Sequence, residues 1–447
     1  MHSSRLLAGV TALVYLTGCS LFGGSSGGTV SATGFAVGDE PYAVQAGVAV
    51  LAQGGSAADA ATAIFFALSV TYPVAAGIGG GGICVVHDPA RTRDETFDFL
   101  ARNAARGGDY AVPGSVGGFA MLQSAYGRLP WQRVVAPAEG FAAAGFRISH
   151  ALATRLEQSQ DVIRLDAGLA AEFLDESGRV KPPNTLVISP TLAQTLSAIR
   201  SLGPNGFYRG PVADKIVAYS TAQGGTISAG ELEAFAPGRS ATRLIKVGGE
   251  MAYLPSENTG AGRFAGALLS HLVDGQGNIV SGDNFASTVA TATKTTLDTF
   301  GIASLPRDLG ATGFAATDSS GQAVACAVSM NGPFGSGHTA EGTGVTLAHA
   351  PGSGQAAVTA EFLTPVVALS GSDLSLVGAG AGGPNGAAAI AYALLKIARG
   401  EDITQPGALH STGIAPYDTV NVIACQSGSC SAVPDPGAFG LGASADE

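Results

Sequence analysis

Charge is scarce in this chain. Only 13% of its 447 residues are Asp, Glu, Lys or Arg, and no run of like charges or long polar tract marks a disordered tail. The net charge of −11 leaves no basic face for a nucleic-acid partner, so nucleic-acid binding is excluded. No Cys/His spacing resembles a zinc site: His87, His150, His271, His338, His349 and His410 are scattered, so neither a metal nor a cofactor is implied. Internal repeats are absent too. What the chain has instead is 46% hydrophobic residues and 65 glycines without a Gly-X-Y period. That composition fits a compact protein with many tight turns and close backbone approaches.

One apolar run stands at the N-terminus. His2 and Arg5 precede Leu6 to Leu16, and Thr17-Gly18-Cys19 follow. The run is too short to cross a bilayer core, which needs about 20 helical residues, and it reads as the core of an export signal over 1–18. Leu16-Thr17-Gly18-Cys19 resembles the bacterial lipobox, which makes Cys19 the expected lipidation site; the alternative is an ordinary secretory signal with an incidental cysteine. Residues 19–33, rich in Gly and Ser, read as a flexible tether. The bilayer is then a partner through acylated Cys19. Ser20 after the lipidated cysteine resembles lipoproteins sorted to the periplasmic face of the outer membrane. Four cysteines remain. Cys84 and Cys326 lie in apolar strand-like runs and read as buried packing residues. Cys425 and Cys430 bracket Gln-Ser-Gly-Ser at an expected hairpin tip, where they either pair or remain two thiols.

The pattern predicts a helix over 41–51 stopped by Gly54-Gly55, then a buried helix capped by Ser56 and running to Val70. The stretch 259–299 reads as helical. Strands are expected over 83–86, 313–317, 323–330, 363–369, 374–377 and 419–424, with a helix over 386–399. Helices early and strands late, without βαβ alternation, indicate an α+β layered fold. Two stretches match G-x-G-x-x-G. Gly77 to Gly82 runs from helix to strand, the wrong order for a dinucleotide site. Gly378 to Gly383 lies between strand and helix but lacks the acidic residue a dinucleotide needs about 20 residues on. Backbone N–H groups at such a helix start also suit an oxyanion hole.

Five ordered blocks resemble the γ-glutamyltransferase family. They are Ala46 to Val86, Val112 to Phe146, Gly206-Phe207-Tyr208-Arg209-Gly210, Gly310 to Gly344, and Gly378 to Gly383. The resemblance implies a four-layer αββα Ntn-hydrolase sandwich in one domain over 34–447, with 34–310 similar to the large subunit and 311–447 to the small one. In active relatives the precursor cuts itself before a threonine at the head of a core strand, and that hydroxyl attacks a γ-glutamyl amide. Here the register places Ala311 at that position, and a methyl group cannot attack a carbonyl.

The other positions are mixed. Thr312 is a doubtful substitute nucleophile, because adjacent strand residues face opposite sides. By the same resemblance Ser329 stands where the family has a supporting threonine, Asn331 matches a substrate-binding asparagine, and Gly382 and Gly383 match the oxyanion-hole glycines. The hydroxyl and amide are equally explained as strand-edge polar groups. Leu100 replaces the family's carboxylate-binding arginine. Glu361 and Phe362 stand for a Ser-Ser pair, and Ser353 for an aspartate. Gly313 replaces a histidine and is expected to loosen the strand head. The resulting expectation is an unprocessed, catalytically degenerate lipoprotein with a binding or structural role, whose ligand would be a small γ-glutamyl compound or amide. The alternative is an active γ-glutamyl transferase, hydrolase or related amidohydrolase using Thr312 or Ser329. No motif indicates a protein partner.

Overall fold

The computed structural model describes residues 34–446, except 281–283, 306–307, 353–359, 406–407, 410–417 and 427. Cys19, the tether and Ser353 therefore lie outside the described residues.

Two antiparallel sheets face each other. The first runs Leu441–Ser444, Phe35–Gly38, Ala311–Thr317, Ala323–Ser329, Gly81–Asp88, Arg93–Asp98 and Gly238–Ala241. The second runs Ser429–Val433, Thr419–Gln426, Asp373–Ala381, Thr364–Ser370, Glu250–Leu254 and Arg243–Val247. Their inner faces are lined by small and β-branched residues: Val37, Val85, Ala315, Val367, Val377 and Ile423 in one patch, and Ile83, Ala311, Ala327, Ala379 and Ala381 in another. Helices cover both outer faces, so the layers are αββα and the fold is α+β.

The outer helices form where the sequence signals stand. Glu40 caps Pro41–Ala52 by accepting the Ala43 N–H at 2.9 Å, with Pro41 in the first turn. Ser56 and Asp59 form a reciprocal capping box on Ala57–Thr71. Every residue of that helix is buried, because it lies between the first sheet and the helix Trp131–Ala144.

Three expectations need correction. The stretch 259–299 is two helices, Gly260–Ser270 and Phe285–Thr299. Between them Asp274 Oδ1 accepts the N–H groups of Gln276 and Asn278, and Gly277 takes φ +85°, which closes a turn inside an otherwise helix-forming composition. Gly378 to Ala381 belong to the strand Asp373–Ala381, so only Gly382 and Gly383 form the strand-to-helix turn. Cys84 and Cys326 are not free packing residues. Their strands pair in a register that sets them directly opposite, with Cα atoms 4.1 Å apart, and they form a disulfide. Pairing of strands 242 positions apart is invisible in a one-dimensional pattern. Cys425 and Cys430 are also bonded, across the hairpin formed by Thr419–Gln426 and Ser429–Val433.

Candidate functional site

The head of the Ala311–Thr317 strand sits at the middle of the first sheet, where the register aligns Ala311, Ser329 and Gly81 across three neighbouring strands. Two glycines make the crossing possible. A Cβ on Gly81 would lie 2.1 Å from the Ala101 nitrogen, so only glycine lets the 99–101 segment pass over the sheet edge. Gly310 has φ +56°, and a Cβ there would meet the Gly332 carbonyl oxygen at 1.8 Å.

The backbone entering the strand is held at several points. Met330 N–H donates to the Gly310 carbonyl at 2.9 Å and Gly332 N–H to the Leu309 carbonyl at 3.0 Å. Ser329 Oγ lies 3.1 Å from both carbonyls and accepts the Asn331 N–H at 2.8 Å. Asn331, in left-handed backbone with φ +58°, donates from Nδ2 to the His349 carbonyl at 2.8 Å. Upstream, Asp308 accepts the Gly310 N–H and pairs with the buried Arg155 at 2.9 Å.

A cleft of about 330 Å³ opens beside this strand head. Leu100, Ser329, Asn331 and Glu361, all singled out from the sequence, line it together. Arg102 and Asn103 line it too, and sequence reasoning missed them. Arg102 donates to the Ala236 carbonyl at 3.0 Å, with its guanidinium 4.8 Å from the Phe235 ring centre. A signal was available: Arg102 is a cation two residues from Leu100. Burial raises the Glu361 pKa, against a smaller lowering by its own backbone N–H and by Arg263. Among the described residues the wall thus carries one cation, one carboxyl of raised pKa, an amide pair and a hydroxyl. Such a set offers hydrogen-bond donors and acceptors to a small polar molecule.

Other singled-out residues lie elsewhere. The Ala311 methyl is fully buried against Ile83, Ala327, Ala379 and Ala381, between the two sheets. Thr312 points to the opposite side. Its hydroxyl is buried and donates to Asp39 Oδ2 at 2.5 Å. Asn421, from the second sheet, donates to Asp39 Oδ1 at 2.7 Å and to the Gly313 carbonyl at 2.9 Å. Burial pushes the Asp39 pKa up to about 6, despite lowering by the Thr312 and Asn421 hydrogen bonds. Gly313 does not loosen the strand: a Cβ there would sit 2.8 Å from the Ala379 carbonyl, so the glycine marks close approach of the two sheets. Gly382 and Gly383 are not among the described cleft-lining residues. Gly383 begins the helix Pro384–Ala398 beside Asp418, whose carboxylate a Cβ would meet at 2.4 Å. Phe362 is core, edge-on to Phe264 with ring centres 4.9 Å apart. Among the described residues no group of three or more His, Cys, Asp or Glu side chains is placed to hold a metal.

Comparison with known proteins gives the same fold. The Gamma-glutamyltranspeptidase family model matches residues 43–274. Glutathione hydrolase 2 of Arabidopsis thaliana is 36% identical over 202 residues, 42% of this chain and 35% of that protein. The glutathione hydrolase proenzyme of Escherichia coli (strain K12) is 34% identical over 218 residues, 43% of this chain and 37% of that protein. These matches therefore span little more than a third of either relative's length. Among solved structures, cephalosporin acylase from Bacillus halodurans superposes with a TM-score of 0.75 over 96% of this chain and 99% of that one, at 18% identity. The Helicobacter pylori gamma-glutamyltranspeptidase gives a TM-score of 0.52 over 63% and 84%, at 24% identity. At those identities the structural likeness is one of fold.

Proposed function

The chain belongs to the gamma-glutamyltranspeptidase family, and we propose that it is a member without self-processing or γ-glutamyl transfer, tethered to the bacterial envelope, with a cleft that binds a small amide or γ-glutamyl-like compound. The observation that carries this reading is Ala311. Family members place a hydroxyl at that strand head, and this chain has a methyl group packed into an apolar box. The neighbouring hydroxyl, Thr312, is committed to Asp39 on the other face. Leu100 supports the reading further: an apolar side chain there leaves Arg102, already engaged by the Ala236 carbonyl and the Phe235 ring, as the one cation among the described cleft-lining residues.

Denaturing electrophoresis of the purified protein tests it. The expected result is one chain, together with no hydrolysis of a γ-glutamyl anilide. Ala311→Thr should give slow cleavage at most and no brisk turnover, because the added hydroxyl enters an apolar box and Leu100 still faces the cleft. Ala311→Thr combined with Leu100→Arg should be the first variant to turn over the anilide. Two fragments from the unaltered chain, or turnover by it, would overturn the proposal.

A second reading keeps an active amidohydrolase, and the observation that favours it is that the Ser329 hydroxyl lines the cleft. In that case Ser329→Ala would abolish a measurable amidase activity of the unaltered protein.

Envelope location is part of the proposal. Both disulfides suit an oxidising compartment. No described helix is long and apolar enough to cross a membrane, so attachment is assigned to acylated Cys19. Cys19→Ala should move the protein from the membrane fraction to the soluble fraction of the envelope. Unchanged sedimentation with membranes would count against lipidation.

A further inference from the structure

A second cavity, of about 100 Å³, lies behind the cleft wall. Its floor includes Met330, the residue between Ser329 and Asn331. The Met330 sulfur is clamped by the glycine arch: a Cβ on Gly77 or Gly80 would meet it at 2.8 or 2.7 Å. Val70, Ile78, Leu169, Phe173 and Leu192 form the apolar part of a lining that is otherwise largely polar.

Glu172 is the only ionisable residue among the described residues of that lining. Ser189 stands at the N-cap position of the helix Pro190–Leu202 but makes no side-chain cap there; its hydroxyl donates to Glu172 Oε1 instead. Among the described residues Glu172 Oε2 has no hydrogen-bond partner. Lys181, a cation acting on Glu172, donates its ammonium group to the Ala171 and Glu172 carbonyls at 2.8 and 2.7 Å. The cavity therefore offers one under-used carboxylate oxygen, nearby hydroxyls on Thr191, Thr339 and Thr346, and an apolar wall. An anion would meet only repulsion there, and a divalent cation would want several carboxylate or carbonyl oxygens rather than one.

We propose that this cavity is a binding site for a small primary ammonium ion bearing a short alkyl chain. The ammonium head donates to Glu172 and the neighbouring hydroxyls, while the alkyl tail lies on Met330 and Phe173. The volume has room for only a few water-sized groups, which limits the chain to a few carbons. Because Met330 is flanked by two cleft residues, an occupant would stiffen the cleft wall from behind. This proposal does not depend on whether the cleft is catalytic.

The test uses n-propylammonium chloride with methyl-labelled protein at pH 8. The Met330 methyl resonance should shift saturably, with a dissociation constant in the millimolar range. Propan-1-ol, similar in size but uncharged, should bind at least tenfold more weakly. Glu172→Gln, which can still accept from Ser189, should weaken propylammonium binding about tenfold. Equal binding of the alcohol, unchanged affinity of the variant, or no saturable Met330 shift would each overturn the assignment. The comparison of amine with alcohol uses the unaltered protein, so it stands even if the variant is poorly folded.

Discussion

Raising the pH from 4.5 to 8 should destabilise the folded protein by several kcal/mol. Three carboxyls sit inside it with their pKa values pushed up by burial: Asp39 to about 6, Glu40 to about 7 and Asp418 to about 6. Glu40 shows why. Its Oε2 accepts from the Ala43 N–H and the Thr71 hydroxyl, but Oε1 is buried with no partner among the described residues. An ionised carboxylate there would leave charge uncompensated. The sign follows from proton counting. Between about pH 4 and pH 7 the folded state holds protons on these groups that the unfolded chain has released, so stability falls as pH rises through that window. A shift of about two units corresponds to ~3 kcal/mol per group. Carboxyls with lowered values, such as Glu95 and Glu231, act in the opposite sense, but only near the acid end, as the unfolded chain releases its own glutamate protons. Guanidinium unfolding at pH 4.5, 6 and 8 measures it. Asp39→Asn retains the geometry, since the amide can donate to Thr312 and accept from Asn421, and it should flatten the slope by about a third. A stability that is level or rises between pH 4.5 and 8 would show that these carboxyls are ionised in the fold.

Removing the Cys84–Cys326 bond should cost about as much in a single step. The bond ties the two central strands Gly81–Asp88 and Ala323–Ser329 across 242 positions of chain. In the chain-entropy model, closing a loop of that length stabilises the fold by ~5 kcal/mol. The Cys425–Cys430 bond spans only 5 positions, so the same model gives it less than half of that. The Cys84→Ala/Cys326→Ala double variant should therefore unfold at much lower denaturant than the Cys425→Ala/Cys430→Ala variant. Both Cys84 and Cys326 are fully buried, so a mild reductant should act on them only as the protein unfolds. A loss under 1 kcal/mol for the first pair, or free thiols at 84 and 326 in denatured, unreduced protein, would refute the assignment.

The elements that the sequence marks locally are those whose causes are local. Ser56 followed by Asp59, Pro41 at a helix start and Gly54-Gly55 at its end act within a few residues, and the helices begin and end there. The strand head at Ala311, and the grouping of Leu100, Ser329, Asn331 and Glu361, were accessible through motif resemblance. Arg102 carried only a weak signal, a cation two residues from Leu100, because no pattern says which side of the cleft a residue beyond the 99–101 crossing will line. Asp39 and Arg155 were missed for a related reason. Each is a polar residue whose burial depends on partners far away in the chain: Thr312 and Asn421 for Asp39, and Asp308 for Arg155.

By itself, then, the sequence determined the α+β class, the helix caps, the blocks within 43–274 through which the family is recognised and the alanine at position 311, because each is written in residue type and short spacing. Only the tertiary structure decided that Cys84 bonds Cys326, that Gly313 marks contact between sheets, that Thr312 turns its hydroxyl to Asp39, and that Glu172 lines a small cavity of mixed polar and apolar wall. Those outcomes depend on which strands pair and how closely two sheets approach, quantities set by packing the whole chain at once.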